Sequence, residues 1–332
     1  MQSINDIHAA IQAQYRRLQS EHETAKNNAR YMLYAGYPRI EEIDREIASL
    51  AINNAKSVLE EKISPQEAAE RIKLQADALR KEKQSIITKY NITEYKPQYA
   101  CPLCSDTGYR ENNKKCGCYM KKLRDALALP GEKSENIALK NSSFDKFELS
   151  YYPCEVDPSL GVSPRDIMRV VYADCTSFAS SFDGNDSGNL LLCGPSGLGK
   201  TLLAASVANA VTEKGYLVIY KSSYKLFQFM EDYKFGKINR ELYDVVYESI
   251  YDCDLLVIDD FGTEFITSYT QSVFFDLLST RLSSGKSTVI STNLPLGKIA
   301  DIYQERVMSR LQNEFRVLRF AGNDIRALKN NK

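Results

Sequence analysis

The sequence predicts an α/β protein with a parallel sheet covered by helices on both faces, preceded by a helical region that bears a cysteine cluster. Three observations predict it. From about Ser163 onward, short apolar runs alternate with helical stretches, the pattern of a parallel sheet with crossover helices. Leu190 to Thr201, LLLCGPSGLGKT, sets a glycine loop between a strand and a helix start. Asp259, Asp260 and Asn293 each end an apolar run, and ligands of such sheets gather at the carboxyl ends of strands.

The front of the chain reads as helices. Ile4, Ile7, Ile11 and Leu18 recur at helical spacing, and Gly36 with Pro38 breaks the pattern. A second helix carries Ile40, Ile43, Ile47 and Leu50. A third starts at Ser64-Pro65-Gln66-Glu67, a cap, a first-turn proline and a capping-box glutamate. It continues through Ala68, Ile72, Leu79 and Ile86. Either these helices pack on one another, or part of the apolar stripe docks on another protein.

Of eight cysteines, Cys101, Cys104, Cys116 and Cys118 fall within one short stretch. Two close pairs suit a tetrahedral Zn²⁺ site with all four ligands used and none left open for catalysis. Redox-active thiols and unligated cysteines are the alternatives. Cys154, Cys175, Cys193 and Cys253 read as small core residues. A short helix over 121–129 follows, and Pro130 to Ser143 reads as a linker. The domain reading is therefore 1–129 for the helical metal-bearing part, 130–143 for the linker and 144–332 for the α/β part.

In the α/β part, Ser163-Pro164-Arg165-Asp166 starts a helix. Strands are expected at 190–193, 216–220, 254–260, 287–293 and 316–320, with helices between them.

The glycine loop carries the chemistry. G-x-x-x-x-G-K-T in a strand–loop–helix context cradles phosphates with backbone N–H groups. Gly194, Pro195, Ser196, Gly197, Leu198, Gly199, Lys200, Thr201 and Leu202 form the expected cradle. Lys200 reaches the outer phosphates and Thr201 ligates Mg²⁺. Asp259 suits the acid that holds the metal. Asp260 is placed to orient the attacking water, with Glu264 as the alternative acid, and Asn293 to contact the γ-phosphate or that water. Arg306 and Arg310 lie one helical turn apart. Arg310 is the preferred arginine finger for a neighbouring subunit, with a surface ion pair as the plain alternative. Arg326 is a weaker candidate for sensing the γ-phosphate.

The formal net charge is zero over 332 residues, so any nucleic-acid contact is local rather than drawn by a global field. No apolar run reaches the roughly 18 residues that cross a bilayer, and no secretory signal opens the chain. A cytoplasmic protein with no membrane partner is expected.

Taken together, GPSGLGKT, LLVIDDFGTE, VISTNLP, ERVMSRL and FAGNDIR resemble the AAA+ ATPase domain of bacterial replicative-helicase loaders of the DnaC/DnaI type, over about Phe144 to Lys329. The front half is similar to the DnaI arrangement of a helical, zinc-bearing domain ahead of the ATPase. The C-x-C half of the cysteine set departs from ligand sets that include histidine. The resemblance implies an ATP- and Mg²⁺-dependent ATPase that self-associates through its AAA+ domain and binds single-stranded DNA. It also implies a front domain that grips the replicative hexameric helicase. SFDKFELSYY, residues 143–152, is similar to the segment where the adenine rests. The 220–225 stretch and the 261–269 loop are candidates for contacting single-stranded DNA, with ordinary tyrosine packing as the alternative. Three other readings stay open: an IstB-type transposition-helper ATPase, a small-molecule kinase, and a switch that binds ATP but barely hydrolyses it.

Overall fold

The computed structural model describes residues 3–59, 64–111, 113–128, 139 and 141–326. Most of the expected linker, 130–143, lies outside the described residues, as does the end of the helix expected at 121–129. The chain forms two compact units, residues 14–106 and residues 1–13 with 107–332.

The three front helices are as expected: α1 Ile4–Gly36, α2 Pro38–Leu59 and α3 Pro65–Lys89. Ser64 caps α3 through the full capping box with Glu67. Ile40 and Ile43 are fully buried, and Lys83 reaches Asp44 at 2.7 Å. Tyr31, Met32 and Leu74 lie on the same helices and are more than two-thirds exposed, at 71%, 72% and 76%. At the end of this unit Asp106 accepts the N–H groups of Ala100 and Cys101 and pairs with His22 at 3.0 Å.

The other unit holds α4 (Gly117–Ala126), α5 (Pro164–Ser181), α6 (Lys200–Glu213), α7 (Ser223–Lys234), α8 (Arg240–Asp252), α9 (Ser268–Ser283) and α10 (Leu296–Glu314). Its strands are β1 Leu190–Cys193, β2 Val218–Ser222, β3 Leu255–Phe261, β4 Ser287–Thr292 and β5 Arg316–Arg319. The strands run in the order β2-β3-β4-β1-β5, all parallel. Every residue of β1 and β4 is buried, as a sheet covered on both faces requires. Cys175, Cys193 and Cys253 are buried as expected, but Cys154 is exposed because it sits on the loop before α5.

Two details were not expected. The β3–β4 register shifts between Ile258 and Phe261, so the strand bulges at the two acids, and Asp260 takes a left-handed φ of 54°. Helix α10 is kinked at Gln304, whose φ is 71°. The metal-bearing stretch also packs tightly on the phosphate-loop helix. A Cβ on Gly117 would lie 2.7 Å from the Glu213 Cα, and one on Gly215 would lie 2.3 Å from the Lys115 carbonyl oxygen. Arg110 donates to the Glu213 carbonyl at the end of α6, where a cation suits the helix dipole.

Candidate nucleotide site

Gly194, Gly197 and Gly199 all take positive φ values, 151°, 80° and 86°, which side chains with a Cβ avoid. The loop thereby curls back on itself ahead of α6. Close approach reinforces the need: a Cβ on Gly194 would lie 2.7 Å from the Phe320 carbonyl oxygen. Lys200 is 5% exposed, and its Nζ donates to the carbonyls of Gly194 and Pro195, both at 2.7 Å. Burial lowers its pKa, and the charges of Asp260 and Asp259 oppose that. An incoming phosphate offers the ammonium stronger, charge-assisted partners than the two carbonyls.

Asp259 is buried and held from two strands. Tyr220 donates its hydroxyl to Oδ2 at 2.6 Å, and Ser291 donates to Oδ1. Thr201 Oγ1 is 3.3 Å from Asp259 Oδ1. A hydroxyl and a carboxylate this close form the hard-oxygen donor set that Mg²⁺ prefers. Asp260 is half-buried, and its N–H is fixed on Ser291 Oγ at 3.0 Å. Burial pushes its pKa up, Asp259 adds to the rise, and Lys200 and Arg326 oppose it.

Lys200, Thr201 and Asp260 open onto a cavity of about 290 Å³ also lined by Ser196, Asn293 and Arg326, with the 146–152 segment as its opposite wall; Asp259 lies beneath it, behind Thr201. That segment supplies aromatic rings: Phe147 stacks on Tyr152 at 5.6 Å and on Tyr172 at 5.5 Å. The Tyr152 hydroxyl donates to the Leu198 carbonyl at 2.8 Å and fastens the wall to the loop. A flat heterocycle beside a phosphate cradle is the ligand such a cavity suits.

The expected residues do not all meet here. Glu264 lies outside this cavity; it is buried, accepts from Ser223 and the Gly262 N–H, and lines a separate cavity. Arg306 and Arg310 are also not among the residues lining the nucleotide cavity. They lie on the second half of α10, with Arg310 in a surface groove beside Ser279 and Glu314 of α9 and α10. Ser291 was not singled out from the sequence, Tyr220 was expected only within a DNA-contacting stretch, and Tyr152 only within the adenine-side segment; their bonds to Asp259 and Leu198 were not foreseen. Tyr220 and Ser291 act on Asp259 only through strand adjacency, which no local pattern announces.

Residues 175–331 match the family model described as IstB-like ATP binding protein. An insertion-sequence ATP-binding protein of Sinorhizobium fredii is 26% identical over 147 residues, 42% of this chain and 56% of that protein. The replicative helicase loader DnaC of Escherichia coli is 27% identical over 135 residues, 41% of this chain and 54% of that protein. The α/β half resembles the IstB/DnaC-type AAA+ ATPases. The chain spans about half the length of these curated relatives. Among solved structures, the DnaC helicase loader superposes with a TM-score of 0.46 at 19% identity, covering 55% of this chain and 98% of that one. The phosphate loop and the parallel sheet give the IstB/DnaC-like region the fold class expected from the sequence.

The four cysteines of the front stretch also come together. The sulfur atoms of Cys101, Cys104, Cys116 and Cys118 all lie within 4.8 Å of one another. Four thiolates about 2.3 Å from one ion at tetrahedral angles sit about 3.8 Å apart, within that limit, so the cluster could hold Zn²⁺. Cys116 is fully buried, and its N–H bonds the Gly108 carbonyl at 2.8 Å. Among the described residues no helix is long and apolar enough to cross a membrane.

Proposed function

We propose that the protein is an ATP-driven loader that binds the replicative hexameric helicase and delivers it onto single-stranded DNA. The observation that carries this reading is the front of the chain. Three long helices and a four-cysteine cluster lie wholly ahead of the residues that match the ATP-binding family. The exposed Tyr31, Met32 and Leu74 give those helices apolar side chains for a partner. The zinc ion is structural in this proposal, since all four ligands are thiolates.

In the proposed reaction Lys200 leaves its two carbonyls for the outer phosphates. Thr201 and Asp259 hold Mg²⁺, which neutralises phosphate charge. Asp260 orients the water, its raised pKa bringing it closer to a working base. Asn293 contacts the γ-phosphate from the end of β4. Arg310 is supplied by a neighbouring copy, in keeping with its place outside the cavity of its own chain. Residues 1–129 grip the helicase and 144–332 hydrolyse ATP.

The test is to mix purified chain with the replicative helicase and size the products with ATP, ADP and no nucleotide. A co-migrating complex in at least one state is expected; none in all three ends the proposal. A second reading, a transposition-helper ATPase, is favoured by the IstB-like family match and the Sinorhizobium relative. Binding to a transposase in the same sizing experiment, with no helicase complex, would favour it.

A further inference from the structure

We infer that Phe275 on α9 is the positioning residue for the arginine pair of α10. The inference rests on the proposal that this pair serves a neighbouring copy's nucleotide. The guanidinium carbons of Arg306 and Arg310 lie 4.7 and 4.8 Å from the centroid of the Phe275 ring. Two cations four residues apart on one helix repel each other. The negative face of an aromatic ring offsets that repulsion and attracts both.

Among the described residues neither guanidinium has an ion-pair or hydrogen-bond partner, and the Arg310 Nε is buried without one. An unpartnered arginine samples many rotamers, whereas one laid on a ring samples few. A finger must meet a phosphate within a fraction of an ångström, so this restriction is where a catalytic gain would come from.

The platform itself is rigid. The residue before Phe275, Phe274, is fully buried, 4.5 Å from Phe261 and 5.4 Å from Tyr303. Phe261 follows Asp260 directly and stacks on Tyr303 at 4.6 Å. Gln304, the kink residue with φ 71°, comes next and re-aims the second half of α10. Gln271 of α9 donates to the Ile302 carbonyl just before that kink. The ring under the arginines thus directly follows, along α9, a residue anchored in an aromatic cluster that begins at the strand of the two acids. Phe275 supplies the ring over which both guanidiniums lie.

The experiment measures steady-state ATP turnover on the full chain for Phe275→Leu, Phe275→Met, Phe275→Tyr, Arg306→Ala and Arg310→Ala, each with a melting curve. Loss of a cation–π contact is expected to lower kcat by about threefold to thirtyfold in the Leu and Met variants. KM for ATP and the melting temperature should stay near the parent's, and Phe275→Tyr should keep kcat within about twofold. If Arg310→Ala or Arg306→Ala slows turnover while Phe275→Leu and Phe275→Met match the parent, the positioning role is wrong and the finger stands. If both arginine variants match the parent, the finger itself is wrong and the inference falls with it. A rise in KM, or unfolding of both Leu and Met variants, would assign Phe275 to packing and overturn the inference.

Discussion

Asp260→Asn should make the protein more stable and nearly inactive at once. The parent Asp260 is half-buried beside Asp259, and burial followed by that neighbour's charge raises its pKa. A carboxyl whose folded-state pKa lies above its unfolded value contributes its full stability only below the unfolded pKa, near 4. That contribution is lost as pH rises through the folded value. At neutral pH the ionised group is therefore a cost to the fold. Asparagine removes the charge, keeps the size and tolerates the φ of 54° at least as well as aspartate. The Asp260 N–H bond to Ser291 belongs to the backbone and is retained. Relief of such a functional-site cost is commonly worth about 0.5–2 kcal/mol. For a unit of this size that is roughly 1–8 °C in melting temperature. Hydrolysis should fall by about 10²–10⁴ if Asp260 works on the attacking water. The assays are melting curves at pH 7, 6, 5 and 4 and ATP turnover at neutral pH. The melting gap between variant and parent should be widest at pH 7 and close towards pH 4. A variant less stable than the parent at pH 7, or a gap that widens on acidification, would refute the electrostatic reasoning. Undiminished turnover would refute the role.

Three further outcomes are expected. Arg281 is fully buried and donates to the carbonyls of Ile250, Tyr251 and Ser287 and to the Thr288 hydroxyl. Arg281→Met strands those carbonyls and should cost about 3–5 kcal/mol in urea unfolding; a cost below about 1 kcal/mol would show that water replaces it. Gly117→Val forces side-chain atoms onto the α6 backbone at Glu213 and should cost about 1–3 kcal/mol, read as a lower melting temperature; an unchanged melt would mean the contact is loose. Metal analysis should give one zinc per chain and Cys104→Ser next to none, with chelation lowering the melting temperature of the parent but not of the variant; a parent free of zinc after growth and refolding in zinc would end the metal assignment.

Much of the architecture was legible locally. The glycine loop, the Ser64 and Ser163 caps and the apolar strands are short-range signals, and the observed elements fall within two or three residues of their expected positions. The cysteine spacing likewise announced a cluster whose sulfur atoms the folded chain brings within 4.8 Å of one another. Helix α4 starts at Gly117 rather than at the expected 121, because the last cysteine ligand candidate, Cys118, already lies in its first turn.

The amino-acid sequence by itself determined which chemical groups the chain carries: a glycine loop suited to phosphate, paired acids, a pair of arginines and four thiols, each encoded within 18 residues or fewer. The tertiary structure decided which of those groups share a cavity. Asp260 lines the phosphate-loop cavity and Glu264 does not, because a bulge at the end of β3 turns the strand end and the following loop carries Glu264 to Ser223. Asp259 depends on Tyr220 and Ser291, partners 39 and 32 residues away. Strand order and register set those meetings, and they are fixed by burial summed over the whole sheet rather than by any local pattern.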